Sequence, residues 1–197
     1  MAKKIAIIGK GNVGSALEKG LTRAGREVKA VGNDKAAVQD TAKWGDIVIL
    51  AVPFSALDDV VKELGDTVNG KTVVDVTNAL GPDMSFAIGF TTSGAEELQK
   101  KLPRARVVKA FNTVLAQHMS TGHLGEDALS AFVAADDPAA KRDVLDLARE
   151  IGFDTVDAGP LRNARHLEPL GYLNIQLAYV QNMGTDIGFG LFHSPAS

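Results

Sequence analysis

With 197 residues, a formal charge of −3 and no cysteine, the chain is excluded from several protein classes before any motif is read. Without cysteine there are no disulfides, thiolate nucleophiles, flavin–cysteine redox pairs or cysteine-ligated iron–sulfur clusters. Charge is spread without long blocks and no apolar run reaches a membrane-spanning length of roughly 18 residues, so neither a nucleic-acid nor a membrane partner is expected.

The N-terminus passes almost directly into an apolar run, which leaves no room for a signal peptide and points to a cytoplasmic location. Lys3 to Ile8 reads as a short buried strand. It is closed by Gly9-Lys10-Gly11-Asn12-Val13-Gly14, a G-x-G-x-x-G placed where a strand hands over to a helix. Val13, Ala16, Leu17, Gly20, Leu21 and Ala24 recur at helical spacing, and Glu27 to Val31 is a second strand. In that context Gly9 makes the tight turn, Gly11 admits a pyrophosphate, and Gly14 lets helix and sheet pack closely. The diphosphate would rest on the free N–H groups of the helix N-terminus.

Lys35 to Lys43 continues as a helix, Asp46 to Val52 as an apolar strand, Phe54 to Leu64 as an amphipathic helix, and Lys71 to Val76 as a strand. Val52-Pro53-Phe54 either walls the adenosine side of a cofactor or simply ends the strand and caps the next helix. Asp75 and Asn78 are either ligand contacts or turn formers. Leu80 to Ser93, broken by Gly81, Pro82 and Gly89, is a functional loop or a connector. A helix over Gly94 to Leu102 follows, then strands at Arg106 to Ala110 and Ala128 to Ala134. A helix from Ala139 to Ile151 and a last strand at Phe153 to Val156 complete the alternation. Leu161 to Met183 is a long helical pattern, begun or interrupted at Pro169, with apolar residues on more than one side. Such a helix needs cover, and a partner subunit would supply it.

Four segments together carry a family resemblance. They are the fingerprint, Ala51-Val52-Pro53, Val107 to Thr113, and Asp157-Ala158-Gly159-Pro160-Leu161-Arg162-Asn163-Ala164-Arg165. From Ala2 to about Phe192 the chain resembles the coenzyme F420-dependent NADP oxidoreductases, and also the cytosolic reductase domain of the transmembrane STEAP metalloreductases. The last segment is the most specific. The resemblance implies a Rossmann domain carrying NADPH, a deazaflavin (F420) or flavin near the nicotinamide, direct hydride transfer between the rings, and a homodimer. It also places Phe111, Asn112 and Thr113 on the nicotinamide side.

The family ends its second strand in a Gly-Ser-Arg type segment; this chain has Gly32-Asn33-Asp34-Lys35. NADP is expected, with Asn33 and Lys35 on the 2′-phosphate and Asp34 turned toward solvent. NAD, with Asp34 on the ribose hydroxyl, is the alternative. His118 is a candidate proton donor to the second ring or a structural histidine. His118 and His123 lack an acidic third ligand, so no metal is expected. Arg162 and Arg165 would hold a second cofactor's phosphate or cap the long helix.

The expected fold is α/β, a doubly wound parallel (Rossmann) sheet over residues 1–158 with a small helical extension at 159–197 for dimerisation and the second cofactor. The expected function is an oxidoreductase moving hydride between NADP(H) and a flavin-like or deazaflavin acceptor. The alternatives are a dinucleotide sensor without turnover and an NADPH-dependent ferric or flavin reductase.

Overall fold

The computed structural model describes residues 2–81, 83 and 85–192; Pro82, Met84 and the end of the extension at 193–197 lie outside the described residues. Five strands, β1 (Ile5–Ile8), β2 (Val28–Val31), β3 (Ile47–Leu50), β4 (Thr72–Asp75) and β5 (Arg106–Lys109), are parallel to one another. Helices α1 (Asn12–Arg23), α2 (Lys35–Trp44), α3 (Leu57–Leu64) and α4 (Gly94–Lys101) connect them. These strands are apolar throughout because both faces are covered. Ile5, Ile7, Ile47 and Ile49 face Leu17 and Leu21 of α1. Ala6, Ile8, Val48 and Leu50 face Val38 of α2, Leu57 and Leu64 of α3 and Leu98 of α4.

The parallel expectation fails after β5. A two-residue-per-strand ribbon, β6 (His123–Leu124) with β7 (Asp127–Ala128), leads into β8 (Ser130–Ala135), which lies antiparallel to β5. Parallel return requires a long crossover, normally a helix. Here the link carries only a 3₁₀ turn at Ala116–His118 and the ribbon, so the chain comes back along the neighbouring edge in the opposite sense. From β8, α5 (Pro138–Ile151) crosses to β9 (Asp154–Asp157), again parallel. The seven-stranded order is β2-β1-β3-β4-β5-β8-β9. Its order reverses between β1 and β3, where ligands of open α/β sheets bind.

A 3₁₀ turn at Leu161–Asn163 starts the last helical stretch, α6 (Ala164–Ile175), and a π-turn at Gln176–Val180 ends it. The helix runs through Pro169 rather than starting there, forgoing the bond to the Arg165 carbonyl. Glu168 explains its anchorage. One Glu168 carboxylate oxygen accepts from Gly94 N (2.9 Å) and the other from Ala95 N (3.1 Å), at the start of α4. Glu168 Oε1 also lies 2.9 Å from Lys109 Nζ. Lys109 in turn donates to Asp75 Oδ2 (2.9 Å) and the Thr77 carbonyl (2.6 Å). Lys109, Asp75 and Glu168 are at most 1% exposed. The cluster binds β4, β5, α4 and α6 to one another.

Burial by itself would depress the Lys109 pKa, but Asp75 and Glu168 outweigh it and hold the ammonium above the ordinary lysine value. Stability from Lys109 is therefore fully present below its unfolded value of 10.5 and is lost as pH rises through the higher folded value. Replacing it with Met leaves two facing buried carboxylates, so Lys109→Met should cost about 3–5 kcal/mol. Urea unfolding at neutral pH measures this, and a loss below about 1 kcal/mol, the scale of an exposed pair, would contradict it.

Candidate active site

Over the carboxyl ends of β1 to β4 lies a groove formed by two cavities that meet at Gly11 and Ala51-Val52-Pro53. The cavity toward β2, about 580 Å³, is walled by Lys10, Asn33, Lys35, Asp59 and Glu63. The cavity toward β4, about 500 Å³, is walled by Asn12, Val13, Phe54, Thr77, Asn78 and Ile175.

The glycines divide the work. Gly9 has φ +114°, and an added Cβ would collide with the Ala51 carbonyl of the adjacent strand end. At Gly14 it would collide with the Gly9 carbonyl, so these two permit the close packing of turn, helix and sheet. At Gly11 a Cβ would meet nothing within 4 Å, because it would point into the open groove. Gly11 is also the N-cap of α1, and no side chain among the described residues caps that helix. By contrast Asp34, Ser93 and Asp137 cap α2, α4 and α5. The free N–H groups and the positive end of the α1 dipole thus face a cavity, an arrangement suited to a diphosphate.

At the β2 end, Asn33 and Lys35 reach the cavity wall and Asp34 does not. Its carboxylate is exposed, as expected, but it does not float free: Oδ1 accepts from Ala37 N at 2.8 Å. That N-cap bond turns it onto α2. Val52 and Pro53 line both cavities and Phe54 only the one toward β4, and Pro53 also ends the strand segment and precedes a short 3₁₀ turn.

The segment Phe111-Asn112-Thr113 lies behind the groove instead of on its wall. Phe111 has φ +64°, which swings its ring into the core, 5.8 Å from Phe153. Asn112 and Thr113 are buried beneath α6. Asn112 reaches the groove through a neighbour: its Nδ2 donates to Asn78 Oδ1 (2.9 Å), and Asn78 Nδ2 donates to the Asn112 carbonyl (2.9 Å). Asn112 Nδ2 also donates to the Leu167 carbonyl (2.8 Å), and Gly171 admits this pair, since a Cβ there would stand 2.6 Å from Asn78 Oδ1. His118 is likewise remote from the groove; it is buried, with Nε2 3.0 Å from the Thr185 carbonyl of the C-terminal segment. Arg165 neither caps nor faces the groove, but forms a two-pronged pair with Glu96 of α4 (2.8 and 2.7 Å). Arg162 is exposed.

Sequence reading missed Thr77, Ile175 and Glu63 on the walls and the Lys109 cluster behind them. A lysine inside Val107-Val108-Lys109-Ala110 was the available signal, because a buried cation requires a partner.

A sequence model of the family described as "NADP oxidoreductase coenzyme F420-dependent" matches residues 4–42 and 31–79. The F420-dependent NADP reductase of Methanocaldococcus jannaschii is 32% identical over 167 residues, covering 80% of this chain and 71% of that one. Metalloreductase STEAP3 of Rattus norvegicus is 27% identical, and the match spans 97% of this chain but 40% of that protein. A crystal structure from Arthrobacter sp. FB24, assigned as an F420-dependent NADP reductase, superposes with a TM-score of 0.86 at 26% identity over 98% of this chain and all of that one.

The differing surroundings of the glycines separate binding from folding. Gly11→Val should melt like the parent yet weaken NADPH binding at least ~100-fold, because its branched side chain fills the groove. Gly14→Val should lower the melting temperature first. Calorimetry and thermal unfolding of both variants check this, and unchanged NADPH affinity in Gly11→Val would contradict the placement.

Proposed function

Because the chain belongs to the F420-dependent NADP oxidoreductase family and is an NAD(P)-dependent oxidoreductase, we propose that its groove binds NADP(H) and exchanges hydride with a deazaflavin or flavin. The observation that carries the placement is the uncapped α1 N-terminus, opening with the side-chain-free Gly11 onto the junction of the two cavities.

In this reading the first-turn N–H groups of α1 take the diphosphate, and the β2-side cavity takes the adenosine, with Asn33 and Lys35 toward the 2′-phosphate. A nicotinamide held in the β4-side cavity would supply or accept the hydride. Val13, Val52, Phe54 and Ile175 exclude water from the β4-side cavity. Asn78 is a positioning group. Its oxygen and one N–H are held by Asn112, so its amide plane is fixed and its second N–H remains to orient a carboxamide. Hydride passing between two rings needs little acid–base help, and the proton that a reduced ring nitrogen takes up can come from water, so the chain's tasks are alignment and water exclusion at the reacting atoms. His118 then holds the C-terminal segment rather than a reacting proton.

The division at 158/159 belongs to the same proposal: the sheet ends at Asp157, and residues 159–192 contribute Ile175 to the cavity. That extension also exposes Leu173, Tyr179, Val180, Met183 and Phe192. We place a homodimer interface on them, in a cytoplasmic protein whose other partners are small redox molecules. No helix among the described residues is long and apolar enough to cross a membrane. Light scattering should return twice the chain mass, and a monomer at micromolar concentration would exclude the interface.

Steady-state assays with NADPH and, separately, F420, FMN and FAD test the activity. Loss of nicotinamide absorbance that depends on one of these acceptors is expected, with a slower rate from NADH. Tight NADPH binding without turnover of any acceptor would instead identify a sensor.

A further inference from the structure

The β2-side cavity is lined by charges of both signs. Lys10, in the turn after β1, and Lys35, at the start of α2, share its lining with Asp59 and Glu63, one turn apart on α3. Lys35 Nζ lies 3.3 Å from Glu63 Oε1. The two ends of this pair differ: the Lys35 side chain is 81% exposed, whereas that of Glu63 is 16% exposed. The backbone at Glu63 is fixed as well, its carbonyl accepting from Gln39 Nε2 of α2 at 2.9 Å. Asp59 has a cation of its own, Lys62 at 3.4 Å. The lysine is the solvated partner and the glutamate the largely buried one.

We propose that Glu63 is a specificity-determining residue that limits the preference for NADP(H) over NAD(H), by holding the Lys35 ammonium that a 2′-phosphate would need. The inference rests on the dinucleotide reading above. A 2′-phosphate entering beside Asn33 and Lys35 brings about two negative charges to within a few ångströms of a held carboxylate. To bind it, Lys35 must turn from Glu63 to the phosphate, and Glu63 is left facing that phosphate unpaired. A 2′-hydroxyl makes neither demand. Asp34, already bonded to Ala37 N, is removed from this contest, so the choice between nucleotides passes to Glu63 and Lys35. The preference for NADP(H) is accordingly smaller than Lys35 alone would set.

Glu63→Gln keeps the shape and removes the charge. It should tighten NADPH binding about five- to tenfold and change NADH binding by less than about twofold. Lys35→Gln should weaken NADPH selectively, and in the double variant the gain from Glu63→Gln should shrink, as coupled groups require. Titration calorimetry of NADPH and NADH on the parent and the three variants, with melting temperatures as the folding control, reads all of this. An unchanged NADPH-to-NADH ratio in Glu63→Gln, or a collapse of NADH affinity showing that Glu63 accepts from the ribose, overturns the proposal while leaving the dinucleotide site standing. If neither nucleotide binds the parent protein, the site and the proposal fall together.

Discussion

One buried ammonium sets the geometry of the groove. Lys109 sits at the end of β5 with no exposed surface, and its three partners come from β4, from the turn after β4 and from α6. An ion in such a place is expensive to desolvate and holds only when its partners are complete. Here two carboxylates face one cation, and the remaining negative charge is met by the α4 N-terminus, where Glu168 receives the first backbone N–H groups. The consequences reach the cavity directly. Thr77 and Asn78, two and three residues past Asp75, form its floor, and Ile175, two turns past Glu168, forms its wall. Asp75 also accepts from Thr77 N and Oγ1, which fixes the turn between the ion cluster and the ligand surface.

The same electrostatic logic separates the start of α1 from those of α2, α4 and α5. The starts of α2, α4 and α5 are capped by Asp34, Ser93 and Asp137, and α3, without a side-chain cap, carries Asp58 and Asp59 in its first turn. At α1 the chain places glycine instead, leaves the positive end unshielded and opens it onto the groove. What marks the α1 start is its place, on the groove and beside the point where the strand order reverses.

Legibility in the sequence followed the range of the interactions. The β1–α1–β2 unit was readable because its signals are local: an apolar run, glycines at fixed offsets and a helical stripe. The buried parallel strands were readable because cover on both faces demands near-continuous apolar residues. The reversed β8 was not, since its direction depends on the absence of a crossover helix and not on its own composition. Phe111 misled for a similar reason. A position at a strand end suggested a ligand contact, while a positive φ, which sequence alone does not announce for phenylalanine, turned the ring into the core. The helix cap made by Asp34 was not foreseen, although an aspartate just ahead of a helical stretch is a local signal for one. Lys109 and Glu168 lie 59 positions apart in the chain, and nothing local links them.

The central claim is that the groove aligns a nicotinamide for direct hydride delivery to a second ring, and deuterium tracing tests it most directly. Single-turnover reduction of F420 by NADPH carrying deuterium at the transferred C4 position should place that deuterium on the deazaflavin C5 carbon, where it does not exchange with water. A primary isotope effect on the rate should accompany it. Reduced product carrying only solvent hydrogen at that carbon would contradict the account.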